Sequence, residues 1–414
     1  MLFRSKKVYI FNSNSRAAVY GIGTYITQLT DCLQEEDIEF GLIHIHAEGD
    51  EVAITEKEGY QQISIPTTDF SNFQSRQYYA RNIAYLLKEL IPYEKGVEYI
   101  FHLNFMNNPE LVSSLKRMFK CKVILVAHYS NWSFSLLGDY SKLQQILAKR
   151  PGKRNYKEQS IAKDVKEDTK MIAKCDKFVC IAQHSLESFA HICRLDPKKI
   201  VLINNALRDY YSPVDEKQKR IIRQKYHIPE EVPLLIFAGR LDEVKGITFL
   251  IHAFKKVLER HTNARLLIAG DGSFNQWLKE AENIWPQITF TGRIEREVLY
   301  ELYQIANIGI VSSIYEEFGF VAIEMMMHQL PIIVSDIGGL SEIVEDEISG
   351  LKVPIVHDGK QRVVDTKVLS AKIVQLIEQP YHAKILAVNA RRRFLEKYDL
   401  TVFRRKMLNL YRET

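Results

Sequence analysis

At 414 residues the chain is long enough for two or three domains with cores of their own, and its 46% hydrophobic and 26% charged residues are ordinary for a globular protein. No apolar run approaches the ~18 residues that would span a bilayer, and the amino terminus runs into a strand pattern at Val8 without a leader's apolar stretch, so a cytoplasmic location is expected. A net charge of +5 permits an anionic partner but comes with no nucleic-acid module, and five scattered cysteines show no zinc or Cys-x-x-Cys spacing, so neither nucleic acid nor a bound metal is expected.

The first strand pattern covers 8–12 and leads into a turn, 14–25, that carries Gly21 and Gly23. Ile22, Ile26, Leu29 and Leu33 then recur at helical spacing. A glycine pair between a first strand and a first helix brings backbone amides against a phosphate. Ile26 stands where a dinucleotide fingerprint would have its third glycine, so an ordinary turn is the other reading. Strand patterns follow at 40–46, 62–65, 99–103, 123–127 and 178–181, with helices between them. In the helix at 76–90, Tyr79, Ile83, Leu86, Leu87 and Leu90 form one stripe, which predicts core. His44 and His46 belong to the alternation of a strand, while His102 and His128 stand at strand ends. There a histidine can bind a sugar hydroxyl or serve a proton transfer, or it can be a satisfied residue at a sheet edge. From 142 to 177 the chain is strongly basic, divided by Pro151-Gly152 and diluted by Asp164, Glu167 and Asp168; a solvated helix face is the default reading.

A boundary is expected at 203–207, and a second sheet begins at 234–238. Gly239 and Gly246 bracket Arg240 and Lys245 directly after that strand. Two fixed cations at a strand end suit a leaving diphosphate, on which negative charge grows as a glycosidic bond breaks. The apolar runs 308–311 and 331–334 alternate with a helix that follows Gly319. Glu316 and Glu324 lie eight positions apart around this strand-to-helix turn, and Gly338-Gly339 open the next helix. Ligands of open α/β sheets bind at such carboxyl strand ends, where helix amides face an anion. Carboxylates there can accept hydrogen bonds from the vicinal hydroxyls of a ribose or a hexose, which points to a nucleotide carrying a sugar. A loop carboxylate beside a solvated helix residue is the plain alternative. The last region, 381–414, reads as helix, with Leu386, Phe394, Phe403, Leu408 and Tyr411 among its apolar contacts.

The segment SIYEEFG at 313–319, Glu324 and the run PIIVSDIGG at 331–339 together resemble the signature of retaining, family-four glycosyltransferases (glycosyl transferases group 1) of the GT-B fold. The resemblance extends upstream through AGRLDEVKG at 238–246, AGDG at 269–272 and FTG at 290–292. It implies an α/β protein of two Rossmann-like domains facing across a cleft. Residues 1–206 would bind the acceptor and 207–395 the nucleotide-sugar, while 396–414 would form a helix crossing back to the first domain through Phe403 to Tyr411. The implied activity is retaining transfer of a sugar from a nucleotide-diphosphate sugar to an acceptor hydroxyl, in bacterial glycan or glycoconjugate assembly.

Carried over by position, the resemblance makes His128, Arg240, Lys245 and Glu316 the catalytic set and gives Gly21, Gly23, Gly239, Gly319, Phe320 and Glu324 to donor binding. Arg240 and Lys245 would hold the phosphates, the two glutamates the sugar and the ribose, and His128 would lie under the donor sugar. No Asp-x-Asp occurs, so no metal and no cofactor is expected. The acceptor could be a saccharide, a lipid-linked saccharide or a peptide, and since some relatives dock on anionic membrane through a basic helix, peripheral membrane contact by 142–177 stays open. Glu317 stands where the family commonly has glycine, His328-Gln329-Leu330 where a small Cys-Gly pair is usual, and Asn205 where Pro-Asn-Gly ends. A catalytically silent nucleotide-sugar-binding module and a sugar-nucleotide hydrolase or epimerase are the alternative functions.

Overall fold

The computed structural model describes residues 6–14, 21–57, 59–67, 73–357 and 361–414. Residues 15–20 of the glycine-bearing turn lie outside them, and so do residues 1–5. The chain forms two compact units: Met1–Asn205 together with Phe403–Thr414, and Ala206–Val402.

Unit 1 is built on β1 (Lys6–Ser13), β2 (Phe40–Ala47), β3 (Ala53–Lys57), β4 (Tyr60–Pro66), β5 (Glu98–Leu103), β6 (Cys121–Ala127), β7 (Lys177–Cys180) and β8 (Ile200–Leu202). They lie in the order β3-β4-β2-β1-β5-β6-β7-β8, and every pair is parallel except β3 on β4. Near-continuous apolar runs such as Val123 to Ala127, wholly buried, are what a parallel sheet covered on both faces requires. β3 and β8 are not legible in the sequence. β3 is exposed along its whole length, so it carries no burial pattern, and β8 has only three residues. The helix Gly21–Glu35 buries Ile22, Ile26, Leu29 and Leu33, as its spacing predicts. Tyr79, Ile83 and Leu87 of the helix Phe73–Leu90 are core, with Leu86 and Leu90 packed at its margin.

The basic stretch folds as the helix Tyr140–Ala148, a short turn at Pro151–Lys153 and the helix Tyr156–Lys174. The second helix starts on a reciprocal cap between Asn155 and Glu158 and turns Ile161, Val165, Met171 and Ile172 inward. Lys149, Arg150, Lys153, Lys157, Lys163 and Lys166 are exposed, whereas Arg154 donates to the carbonyls of Ile146 and Leu147 at 2.9 and 2.8 Å. Among the described residues no helix is long and apolar enough to cross a membrane.

Unit 2 holds β9 (Leu234–Ala238), β10 (Arg265–Ala269), β11 (Ile288–Gly292), β12 (Ile308–Val311), β13 (Ile332–Ser335) and β14 (Leu351–Val353), all parallel, in the order β11-β10-β9-β12-β13-β14. A small antiparallel hairpin, β15 (Ile355–His357) with β16 (Arg362–Val364), stands apart from it. The chain leaves β9 in one direction and returns to β12 on its other flank, which makes β9/β12 the switch point where the loops diverge and a crevice opens. In unit 1 the same reversal falls between β1 and β5.

The helix Pro380–Lys397 belongs to unit 2. The last helix, Leu400–Glu413, passes into unit 1 at Phe403, and there Phe403, Met407 and Tyr411 are buried. Phe403 meets the Tyr25 ring edge-on at 5.5 Å, and Lys6 Nζ donates to the Tyr411 carbonyl at 2.5 Å.

Candidate functional site

At the unit 2 switch point two loops are tied together by their backbones. β9 ends at Ala238, and Gly239 and Arg240 lead to a turn over Glu243–Lys245, where Asp242 accepts from the Lys245 amide at 3.2 Å. β12 ends at Val311, and Ser312 Oγ donates to the carbonyls of Lys245 and Gly246 at 3.1 and 3.2 Å. Ile314 N donates to the Val244 carbonyl at 2.8 Å, closing the join. Gly246 sits at φ +69°, and a Cβ there would stand 1.9 Å from the Ser312 carbonyl, so the approach is possible for glycine alone.

That join sets the charges. Lys245 Nζ meets Glu316 Oε2 at 2.5 Å with both side chains about one-fifth exposed, at 19% and 18%, and Ser313 Oγ reaches the same carboxylate oxygen at 3.4 Å. Arg240 lies 3.2 Å from Asp242. The third loop docks on the second: the Gly339 amide donates to the Glu316 carbonyl at 3.0 Å, and a Cβ on Gly339 would lie 2.2 Å from the Phe318 carbonyl. Gly319, at φ +119°, opens the helix Phe320–Met327, which carries Glu324. Phe320 stands edge-on to Phe318 at 5.5 Å.

Glu324 is partly buried beside Tyr300 and Tyr303 of the helix Arg296–Ile305. Burial pushes its carboxyl up to about 7, against the pull of the Arg296 charge and the Tyr303 hydroxyl. Glu317, where the family commonly has glycine, is 8% exposed and accepts from Tyr315 Oη at 2.6 Å. It is taken up by the loop's own hydrogen bonding. His328 is likewise buried, its Nδ1 donating to the Glu324 carbonyl at 2.8 Å.

Unit 1 has strand ends of a different kind. Gly21 and Gly23 lie in the first turn of the helix Gly21–Glu35. His128 directly follows β6 and is buried, with Nε2 2.9 Å from Asn104 Oδ1. Asn104 Nδ2 donates to the Phe11 carbonyl at 3.0 Å, so its Oδ1 is an acceptor and His128 Nε2 carries the hydrogen. His102 lies within β5, between Tyr411 Oη at 2.8 Å from Nδ1 and Tyr25 Oη at 3.1 Å from Nε2. Burial pushes both histidines down to about 3, so both rings are neutral near pH 7. Beside them a cavity of about 710 Å³ opens at the carboxyl ends of β1, β2, β5 and β6, lined among others by Asn12, His46, Asn104, Asn107, His128 and Asp164.

Arg240, Lys245, Glu316, Gly239, Gly319, Phe320 and Glu324 thus fall in unit 2, and the loops that carry them are directly bonded; Gly21, Gly23 and His128 fall in unit 1. The sequence assigns no role to Asn104, Ser312, Ser313 or Tyr303. The first three follow the apolar runs of β5 and β12 directly, a signal as visible as the one that singled out His128. Tyr303 gives none, because its helix lies well before Glu324 in the chain.

The model of the family described as glycosyl transferases group 1 matches residues 218–393. An uncharacterized glycosyltransferase of Methanocaldococcus jannaschii is 28% identical over 240 residues, covering 56% of this chain and 59% of that protein. The alpha-D-kanosaminyltransferase of Streptomyces kanamyceticus is 25% identical over 50% of this chain and 52% of its own length. The chain therefore spans about half the length of the curated relatives it matches. Among solved structures, the sucrose-phosphate synthase of Thermosynechococcus elongatus superposes with a TM-score of 0.77 at 20% identity, over 99% of this chain and 98% of that one. HepE of Anabaena, solved in complex with UDP-glucose, gives 0.70 at 14% identity over 99% and 100%. At such identities the superpositions speak for the fold alone. Residues 218–393 thus match the glycosyl transferases group 1 model, and the two parallel α/β units are those of the GT-B fold.

Proposed function

We propose that this protein is a retaining glycosyltransferase that moves a sugar from a nucleotide-diphosphate sugar to an acceptor hydroxyl in glycan assembly, without a metal. The observation that carries the reading is the Lys245–Glu316 contact at 2.5 Å, which puts a cation for phosphate and a carboxylate for sugar hydroxyls side by side at a switch point. Arg240 and Lys245 hold the diphosphate, Glu316 the donor sugar and Glu324 the ribose. As the bond between the anomeric carbon and the phosphate oxygen breaks, its electron pair goes to that oxygen, where the two cations stabilise it. The acceptor oxygen bonds to the anomeric carbon on the face just vacated, and its proton passes to the departing phosphate. No side-chain nucleophile is then needed. Acceptor binding is assigned to the unit 1 cavity, whose amides both donate to and accept from hydroxyls. Neutral His128, with Nε2 committed to Asn104, has a free lone pair on Nδ1 to offer a hydroxyl.

The test is thermal unfolding of the wild type and of Glu324→Ala with UDP-, GDP- and ADP-sugars, starting from UDP-glucose because a protein of the same fold binds it. A ligand at one hundred times its Kd adds about 2.7 kcal/mol, enough to raise Tm by several degrees. A shift with one nucleotide class that shrinks in the variant supports both donor and site. A wild type that no sugar nucleotide shifts would overturn the donor assignment.

A further inference from the structure

Glu324 is held from two sides by residues that the transfer chemistry does not use. Tyr303, buried on the helix Arg296–Ile305, turns its Oη to Glu324 Oε2 at 3.5 Å. His328, just past the end of the helix Phe320–Met327, donates from Nδ1 to the Glu324 carbonyl at 2.8 Å. A carbonyl only accepts, so this bond fixes the Nδ1–H tautomer of the neutral ring. The same imidazole lies 4.3 Å from the Tyr300 ring, 5.4 Å from Tyr303 and 5.8 Å from Tyr211, centroid to centroid. One histidine therefore binds the main chain of Glu324 and supports the tyrosine that faces its side chain. The small residues usual at this place would keep only the backbone N–H bond to that carbonyl, 3.1 Å here, and would lack both the second donor and the ring. We infer that Tyr303 and His328 are positioning residues, which hold the Glu324 carboxylate in the orientation that receives the ribose hydroxyls of the donor.

The inference rests on the reading of Glu324 as a nucleotide contact, and it adds how that contact is kept aimed. A carboxylate that accepts from two hydroxyls must be ionised and correctly turned. The groups that bear on its ionisation are Tyr300, Tyr303 and Arg296 on the neighbouring helix, while His328, just past its own helix, holds its main chain. Arg391 and Asp209 face His328 from beyond. Burial raises the carboxyl to about 7, so affinity for the nucleotide rises with pH through that region. The Tyr303 hydroxyl favours the charged form.

The experiment is isothermal titration of UDP, GDP and ADP into the full chain between pH 5.5 and 8.5, followed by the best binder against the variants. Tyr303→Phe is expected to weaken binding at pH 7 by about 3- to 10-fold, the usual worth of one such hydrogen bond, and to move the midpoint of the pH profile upward. His328→Leu should weaken binding similarly, and His328→Gln, which keeps an N–H donor for the Glu324 carbonyl, should recover most of the loss. Glu324→Gln should give a flat profile. If the wild type binds a nucleotide while both Tyr303→Phe and His328→Leu keep its affinity and its midpoint, the inference is overturned. Either variant alone suffices should the other fail to fold. A wild type that binds none of the three strikes at the donor reading itself, which separates the two failures.

Discussion

The strand ends of unit 2 are organised by charge: Lys245 meets Glu316 at 2.5 Å, Arg240 lies 3.2 Å from Asp242, and glycines let three loops approach within backbone contact. Those of unit 1 are organised by neutral polar groups, with His128 on Asn104 and His102 between two tyrosines, all buried. An anion with fixed geometry can be met by cations on short, rigid turns. An acceptor hydroxyl carries no charge and is better met by oriented lone pairs and N–H groups beside a roomy cavity. The first arrangement joins neighbouring loops of one parallel sheet, with Arg240 and Asp242 two positions apart but Lys245 and Glu316 71 apart. The second needs four strands and the last helix of the chain.

Three changes would break or sharpen this contrast. The largest effect belongs to Lys245→Ala. Under the proposed mechanism, losing one cation at the leaving phosphate should lower kcat by on the order of 10²–10³, as measured by steady-state transfer or donor turnover, and an unchanged rate would remove Lys245 from the chemistry.

Next comes Asp168, a buried carboxyl of unit 1 that accepts from Trp132 Nε1 at 3.0 Å and that burial pushes from 3.8 up to about 7. Its folded form binds a proton more tightly than the unfolded chain does, so its contribution to stability is greatest at low pH. That contribution is lost as pH rises from about 4 through about 7. A Tm series across that window should show a pH-dependent loss of several degrees that flattens in Asp168→Asn. A parallel profile in the variant would show that other groups carry it.

The smallest effect is expected from Tyr411→Phe. Removing one hydrogen bond to His102 should cost about 1 kcal/mol and lower Tm by a few degrees, with nucleotide affinity in unit 2 unchanged. A large loss of nucleotide binding would mean that the two units are not independent in the way their separate chemistries suggest.

Most of unit 2 could be read from the chain. Its strands are short apolar runs, three of which (β9, β10 and β11) end at or beside a glycine, and Gly239, Gly246 and Gly319 mark turns of the loops that follow. Glu317 and His328 were legible as departures but not in their consequences. Whether a carboxylate faces a ligand or a tyrosine of its own loop depends on side-chain direction, and Tyr315 decides it for Glu317. In unit 1 the periodicity of Ile22, Ile26, Leu29 and Leu33 predicted a buried helix face correctly. β3 could not be seen, because an exposed edge strand has no burial pattern to read.

The sequence by itself determined the alternation of strands and helices, the ends of the strands and the charges placed there, because hydrophobic periodicity and glycine positions are local properties of the chain. Only the tertiary structure decided which ends are neighbours. The pairing of β12 with β9 brings Glu316 to Lys245 across 71 positions, and the return of the last helix brings Tyr411 to His102 across 309. Such contacts depend on the order of strands in a sheet and on where a final helix lies, and no spacing along the chain encodes either.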